Sequence, residues 1–258
     1  MEIVFFRCLV AASFCVYGLR QDGQGLLGNN HLLLFLRGAF GTMALFLFFV
    51  TLQQMPLATA QTIQYLSPIF TALIAVFMLH ESVRALQWAF YALAFGGVLL
   101  IQQVDTRVSP FYVALGILSA FGSGVAYNLV RTMRGREHPL TVVLHFQLVG
   151  FAAGGVSLLF YWETPRGIDW IYLLLVGVFS QLGQVFLTKA LQAEKAAGVA
   201  IINYTGLVYA ILAGWLIFGE EQSLLTLSGM MLVVLGVFLS VFYGRRQARI
   251  EEMEATAA

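Results

Sequence analysis

The sequence predicts an all-α, polytopic membrane helix bundle, and three observations carry that reading. Apolar residues fill 60% of the 258 positions and charged residues only 10%, with a mean hydropathy of +0.84, far from the balance of a soluble domain. The charges gather in short clusters between apolar runs of about 20 residues, the length that crosses a hydrocarbon core as a helix. The runs also lack the alternation of apolar and polar residues that a closed β-barrel requires.

Nine spans follow, at about residues 3–19, 32–53, 57–79, 85–103, 110–130, 139–161, 169–188, 197–218 and 223–243. The first opens "MEIVFFRCLV", with a carboxylate and no basic n-region, so a cleavable signal peptide is not expected. It carries Cys8 and Cys15 at i and i+7, without CxxC spacing or a nearby His pair, which reads as two buried helix residues. Arg7 lies four residues into the same span. The reading adopted is snorkelling to the headgroups or helix packing, and the alternative is an anion anchor facing a cavity. In the second span Gly38, Gly41 and Thr42 read as small-residue helix contacts or pocket positions. His145, the one histidine well inside a span, reads as a partner for a neighbouring helix.

The net charge is +1, which gives no reason to expect a nucleic-acid partner. With the C-terminus on the cytoplasmic side, that side collects Arg20, Arg37, Arg84, Arg131, Arg134, Arg136, Lys189, Lys195, Arg245, Arg246 and Arg249. The opposite side receives Arg107 and Arg166, so the positive-inside rule predicts a cytoplasmic C-terminus and, with nine spans, an outside N-terminus. The tail "GRRQARIEEMEATAA" reads as a helix end trailing into disorder.

Set against itself at an offset of 139, the chain aligns residues 1–105 with 140–244 without a gap, with about 21 of 105 positions identical. The matches include Leu34, Leu36, Gly38 and Phe40 with Leu173, Leu175, Gly177 and Phe179, Tyr65 with Tyr204, Glu81 with Glu220, and Gly97-Val98 with Gly236-Val237. Five helices fit in the offset, so equivalent helices run in opposite directions across the bilayer. That is an inverted repeat, able to expose a central site to either side in turn. The expected organisation is a first repeat over 1–105, a second five-helix repeat over 106–244 and a tail over 245–258, with the first repeat one helix short at its N-terminus.

"FFRCLVA" at 5–11, "MPLATA" at 55–60, "QYLSPIFTALIAVFMLHE" at 64–81 leading into "GGVLLI" at 96–101, and the echo "NYTGLVYAILAGWLIFGE" at 203–220 resemble the EamA-type members of the drug/metabolite transporter superfamily. The resemblance runs nearly the whole chain and implies ten helices in two inverted repeats, of which nine are seen here. It also implies a central pocket lined by helices corresponding to 32–53, 57–79, 110–130, 169–188 and 197–218.

The residues point to the same pocket. Gln61, Gln64, Tyr65 and Pro68 follow i, i+3, i+4, i+7 and share one helix face. Hydrocarbon cannot satisfy two side-chain amides, so this face must look inward, onto helix partners or water. Asn203 and Tyr204 fall opposite Gln64 and Tyr65 in the repeat. Gly177, Gln181, Gln184 and Thr188 form a second polar face, and Gly116, Ser119, Ser123 and Tyr127 a third. The expected substrate-contacting residues are therefore Gln61, Gln64, Tyr65, Ser123, Tyr127, Gln181, Gln184, Asn203 and Tyr204, with hydrogen bonding between helices as the other reading of the same groups. Pro68 is expected to kink its helix and serve as a hinge or a static bend.

No Asp or Glu lies in the middle of any span, so an intramembrane carboxylate relay is absent. Glu81 and Glu220 are read as structural, stabilising the start of the next helix. The expected activity is transport of a small organic metabolite, amino-acid-like or drug-like, by alternating access, as facilitator, exchanger or proton-coupled carrier. The alternative is a truncated, inactive nine-helix relative. An intramembrane serine protease using "FGSG" at 121–124 with His145 is disfavoured because the residues before Ser123 do not make a GxSG pattern. No enzyme activity, catalytic residue, metal or cofactor is expected. The expected partners are a small-molecule substrate and the lipid bilayer of a bacterial inner (plasma) membrane, with a homodimer left open.

Overall fold

The structure, a computed structural model, describes residues 2–78, 85–104, 108–160, 162, 164–193 and 205–257. Its elements are α1 (Glu2–Gln21), α2 (His31–Gln54), α3 (Leu57–Gln64), α4 (Ser67–Met78), α5 (Ala85–Val104), α6 (Pro110–Thr132), α7 (Pro139–Leu158), α8 (Asp169–Ala193), α9 (Thr205–Phe218) and α10 (Leu224–Ala257). Among the described residues seven spans are long and apolar enough to cross a membrane, α3 and α4 together making one of them. Two shorter apolar helices cover Ala85–Ile101 and Val208–Phe218. Large apolar side chains such as Phe77, Trp88, Phe111, Leu159 and Trp215 point outward, as they do where lipid rather than water surrounds the bundle.

The chain divides into two compact units, Met1–Phe46 with Val125–Glu194 and Leu47–Gly124 with Lys195–Ala258. In the first, α1 buries Val4, Arg7, Cys8, Ala11, Cys15 and Leu19, a helical stripe set by i, i+3, i+4 and i+7 spacing. Both cysteines are free and buried, as their spacing predicts. Small residues bring α1 and α7 together: a Cβ on Gly154 would lie 3.1 Å from the Phe5 backbone, and one on Gly150 would lie 2.7 Å from Cys8 Sγ. The pair is antiparallel, because residues ascending α7 meet residues descending α1. Gly38 of α2 likewise leaves room for Val149 and the His145 carbonyl, so its role is close packing.

In the second unit α5 and α10 pack antiparallel through glycines. A Cβ on Gly97 would lie 2.6 Å from the Gly229 carbonyl oxygen, and one on Gly236 would lie 2.6 Å from that of Phe90. Gly97 and Gly236, and the buried Val98 and Val237 beside them, are positions matched at the offset of 139. The core around them includes Ile63, Leu66, Ile69, Ile101, Met230 and Val233.

Helix ends follow local chemistry. Asn30 caps α2 by accepting from the Leu33 N–H at 3.1 Å. His138 caps α7 with Pro139 at the first helical position, and Ser223 caps α10 by accepting from the Thr226 N–H at 3.0 Å. Two carboxylates do the same work from a distance. Glu137 Oε1 accepts from the backbone N–H groups of Asn29 at 2.7 Å and Asn30 at 2.6 Å. Gly28 permits this approach, since its φ is +68° and a Cβ there would lie 2.7 Å from Glu137 Oε2. Glu220 accepts from the Leu57 N–H at 2.9 and 3.0 Å. It therefore stabilises the start of α3, 163 positions away, and not the helix that follows it along the chain. Glu81 lies outside the described residues.

Two expectations about continuity change. The span predicted over 57–79 is not one bent helix: it breaks at Tyr65–Leu66 and resumes at Ser67. Pro68 has no N–H for the Gln64 carbonyl, and its ring crowds that oxygen. The chain responds with tighter i→i−3 bonds, Tyr65 N–H to the Thr62 oxygen at 3.1 Å and Leu66 N–H to that of Ile63 at 3.0 Å. The tail, expected to trail into disorder, instead continues α10 through Ala257, because Arg, Gln, Ala, Glu and Met are all good helix formers.

Candidate functional site

Each unit gathers buried polar side chains, and the two sets differ in how they are satisfied. In the second unit Gln64 sits at the end of α3, just before the break. Its Nε2 donates to Ser123 Oγ at 2.8 Å, while its Oε1 accepts from Ser119 Oγ at 3.0 Å. The two serines stand one turn apart on α6, so one amide spans both. Gly116, a turn earlier on α6, lets α3 approach, since a Cβ there would lie 2.9 Å from Ile63 Cγ2. Tyr65 is buried, its hydroxyl hydrogen-bonded to Gln61. Gly206 makes room for that hydroxyl, which a Cβ would meet at 2.7 Å. Gln61, Gln64, Tyr65 and Ser123 are thus brought together on α3 and α6, each with a partner inside the protein.

In the first unit Gln181 of α8 donates to Cys15 Sγ at 2.9 Å and accepts from Gln147 Nε2 of α7 at 3.3 Å. Gln147 has no exposure, and its Oε1 has no hydrogen-bond partner among the described residues. Gln184, one turn along α8, accepts from Arg37 Nη2 at 3.3 Å, and Tyr127 of α6 is close enough to interact with Arg37 electrostatically. Gln181, Gln184 and Tyr127 therefore belong to this unit. Asn203 and Tyr204 lie outside the described residues.

Arg37 corrects an expectation. Counted with the cytoplasmic charges from its place just inside a helix end, it turns into the bundle, with 3% exposure and its Cζ 4.4 Å from the centroid of the Phe146 ring. Arg7, on α1, is equally buried, with its Cζ 5.5 Å from the same ring. Its guanidinium is held within the bundle and not extended to a headgroup. Gly41, one turn after Arg37, is part of the same arrangement: a Cβ there would collide with Arg37 Nη1 and lie 3.1 Å from the Phe146 ring. Without Arg37 the positive-inside count becomes ten to two, and the orientation it predicts is unchanged.

Sequence reasoning missed Arg37 and Gln147. Arg37 carried a signal, a lone cation in an otherwise apolar run with glycine at i+4. Gln147 carried none beyond being an amide within a span. The serine of "FGSG" binds Gln64, and His145 Nδ1 lies 2.9 Å from the Thr141 carbonyl oxygen of its own helix.

These features define a helical membrane protein with polar clusters buried among its spans. The EamA-like transporter family model matches residues 1–103 and 110–242, and the chain belongs to that family. It is 32% identical over 238 residues to the pseudopaline exporter of Pseudomonas aeruginosa, covering 90% of this chain and 83% of that one. It is 31% identical over 252 residues to human solute carrier family 35 member G1, covering 91% and 69%. The S-adenosylmethionine uptake transporter of Rickettsia felis is 23% identical over 258 residues, covering 98% and 86%. A solved crystal structure superposes with a TM-score of 0.70 at 18% identity, covering 95% of this chain and 88% of the other, a likeness of fold alone.

Proposed function

We propose that the chain is a secondary carrier that moves a small organic metabolite across a bacterial inner membrane by alternating access of two inverted repeats. The observation that carries this reading is the packing of repeat-equivalent helices as antiparallel pairs, α1 with α7 in one unit and α5 with α10 in the other. An inverted repeat places equivalent helices so that they exchange environments when the halves exchange roles. The family membership and the transporter names of the relatives support the same function.

The polar groups of each unit, taken by itself, are the candidates for substrate contact: Gln61, Gln64, Tyr65 and Ser123 in one, Tyr127, Gln181 and Gln184 in the other. Asn203 and Tyr204 join them by their place in the repeat. The break at Tyr65–Leu66, imposed by Pro68, is the proposed hinge, since the missing backbone bond lets α3 and α4 move with little loss. No carboxylate sits in the middle of a span, which favours facilitation or exchange over a carboxylate-based proton relay. The C-terminus is assigned to the cytoplasm. Relatives named as transporters of pseudopaline, S-adenosylmethionine and riboflavin support a small organic solute as the substrate.

The test is counterflow in proteoliposomes loaded with a panel of amino-acid-like, nucleoside-like and organic-acid solutes. Accumulation of labelled solute in exchange for its unlabelled form is expected for at least one class. Pro68→Ala is expected to slow exchange more than it weakens binding. A protein that binds solutes but never exchanges them contradicts the carrier reading.

A further inference from the structure

We infer that Arg7 and Arg37 form an oxyanion-binding site, so that the transported solute carries a carboxylate or phosphate group. The inference rests on the carrier reading above and names the class of its substrate.

The argument starts from what two guanidiniums need. Each carries five N–H donors in a planar fork and stays charged under all ordinary conditions. Both lie in apolar helices with 3% exposure. Arg37 has one hydrogen bond, to Gln184 Oε1 at 3.3 Å, and Arg7 one weak contact, to Cys8 Sγ at 3.8 Å. Arg7 Nε, Arg37 Nε and Arg37 Nη1 are buried with no partner among the described residues.

The described surroundings do not neutralise them. The described acids of this unit lie at helix starts or in loops. Glu137 is committed to the Asn29 and Asn30 N–H groups, Asp169 accepts from the Arg166 N–H, and Asp22 lies 3.9 Å from His138. Glu2 stands in the first turn of α1. The Phe146 ring offers its face to both cations, but a ring face supplies no acceptor for an N–H in the guanidinium plane. The two cations also repel each other. Buried charges persist when they are paired and hydrogen-bonded, and an ionisable pair at this depth in a membrane protein marks a ligand path. An oxyanion supplies what is missing, one charge to offset two and several lone pairs for the free N–H groups.

The arrangement is also shaped for the guanidiniums. Gly41 leaves space that any side chain would take from Arg37. Phe146 holds both cations over one ring, and Gln184 holds Arg37 Nη2, leaving Nε and Nη1 without a partner among the described residues.

The experiment uses the full chain in lipid nanodiscs and paired probes that differ only in charge: succinate and succinamide, glutamate and glutamine, glycerol 3-phosphate and glycerol, with inorganic phosphate alone. Binding is read by calorimetry and by thermal stabilisation, for the native chain and for Arg7→Gln, Arg37→Gln and Arg37→Lys. We expect at least one anion to bind about tenfold or more tighter than its neutral isostere, and either glutamine variant to lose that preference, as when one partner of a buried charge pair is removed. Arg37→Lys, which keeps the charge but not the fork, should retain part of it. The carboxylate and phosphate arms identify which oxyanion the site takes.

Equal binding of anions and neutral isosteres overturns the inference, as does anion binding untouched by Arg37→Gln. Should a variant fail to fold, the isostere ratio in the native chain decides alone. If the counterflow panel moves only neutral solutes, the carrier stands and the oxyanion site falls. If no solute of any charge is bound or exchanged, the carrier reading itself falls.

Discussion

Gln64 and Arg37 are both polar side chains set in apolar helices, one in each compact unit, and they are treated in opposite ways. Gln64 donates a hydrogen bond from its amide nitrogen to Ser123 and accepts one from the Ser119 hydroxyl, so both ends of the group are used. Among the described residues Arg37 uses a single nitrogen, on Gln184, and keeps Nε and Nη1 buried without partners. In hydrocarbon a satisfied amide joins helices, whereas an unsatisfied cation leaves a large desolvation cost uncompensated. The difference separates a group whose role is complete within the protein from one whose role requires something that arrives.

That comparison presupposes a common scaffold, and the largest expected effect lies there. Gly97→Val would drive a branched side chain into the Gly229 carbonyl and should destabilise the α5–α10 pair by about 3 kcal/mol, read as a lower unfolding midpoint in mixed micelles. Little change would mean that the close approach of these helices is not required.

The next effect tests whether both units anchor a helix start with a remote acid. Glu137→Ala leaves two N–H groups of the α2 entry without their acceptor and should cost about 2 kcal/mol. Glu220→Ala frees one N–H and should cost about 1 kcal/mol. Equal losses, or a larger loss at Glu220, would break the proportionality between bonds and stability that the geometry implies.

Phe146→Leu sharpens the contrast from the arginine side. Removing the ring beneath two cations should cost about 1 kcal/mol of stability and weaken anion binding, while Phe146→Trp preserves both. The smallest effect belongs to Gln64. Gln64→Leu removes two interhelical hydrogen bonds at about 0.6 kcal/mol each, and Ser123→Ala removes one, so the two losses should stand near two to one in thermal stability. A Gln64→Leu variant that keeps full stability but loses exchange would move Gln64 from helix contact to substrate contact.

Much of this was legible in advance where the signal is one-dimensional. Apolar run length alone located the starts of α1, α2, α5, α6, α7 and α8 to within a residue or two, whereas the first residues of the span predicted over 197–218 lie outside the described residues. Helical spacing of i, i+4, i+7, i+11 from Gly177 placed Gln181 and Thr188 on the buried face of α8, and i, i+3, i+7 from Gly116 placed Ser119 and Ser123 on that of α6. Pro68 announced a disturbed helix, but whether it bends or breaks depends on the local bonds that replace the missing one. Glu220 announced a cap without saying whose, because the helix start it serves is distant in sequence. Arg37 was misplaced because a cation near a span end has the same spelling whether it turns to water or into the bundle.

The sequence by itself determined that this is a helical membrane protein, and it predicts an inverted repeat, since these readings follow from hydrophobic length and self-similarity. Only the tertiary structure decided which buried polar groups are satisfied. Satisfaction depends on what stands opposite a side chain in space, and for Gln64 that is a pair of serines, while for Arg7 and Arg37 it is a shared aromatic ring and, among the described residues, no acid.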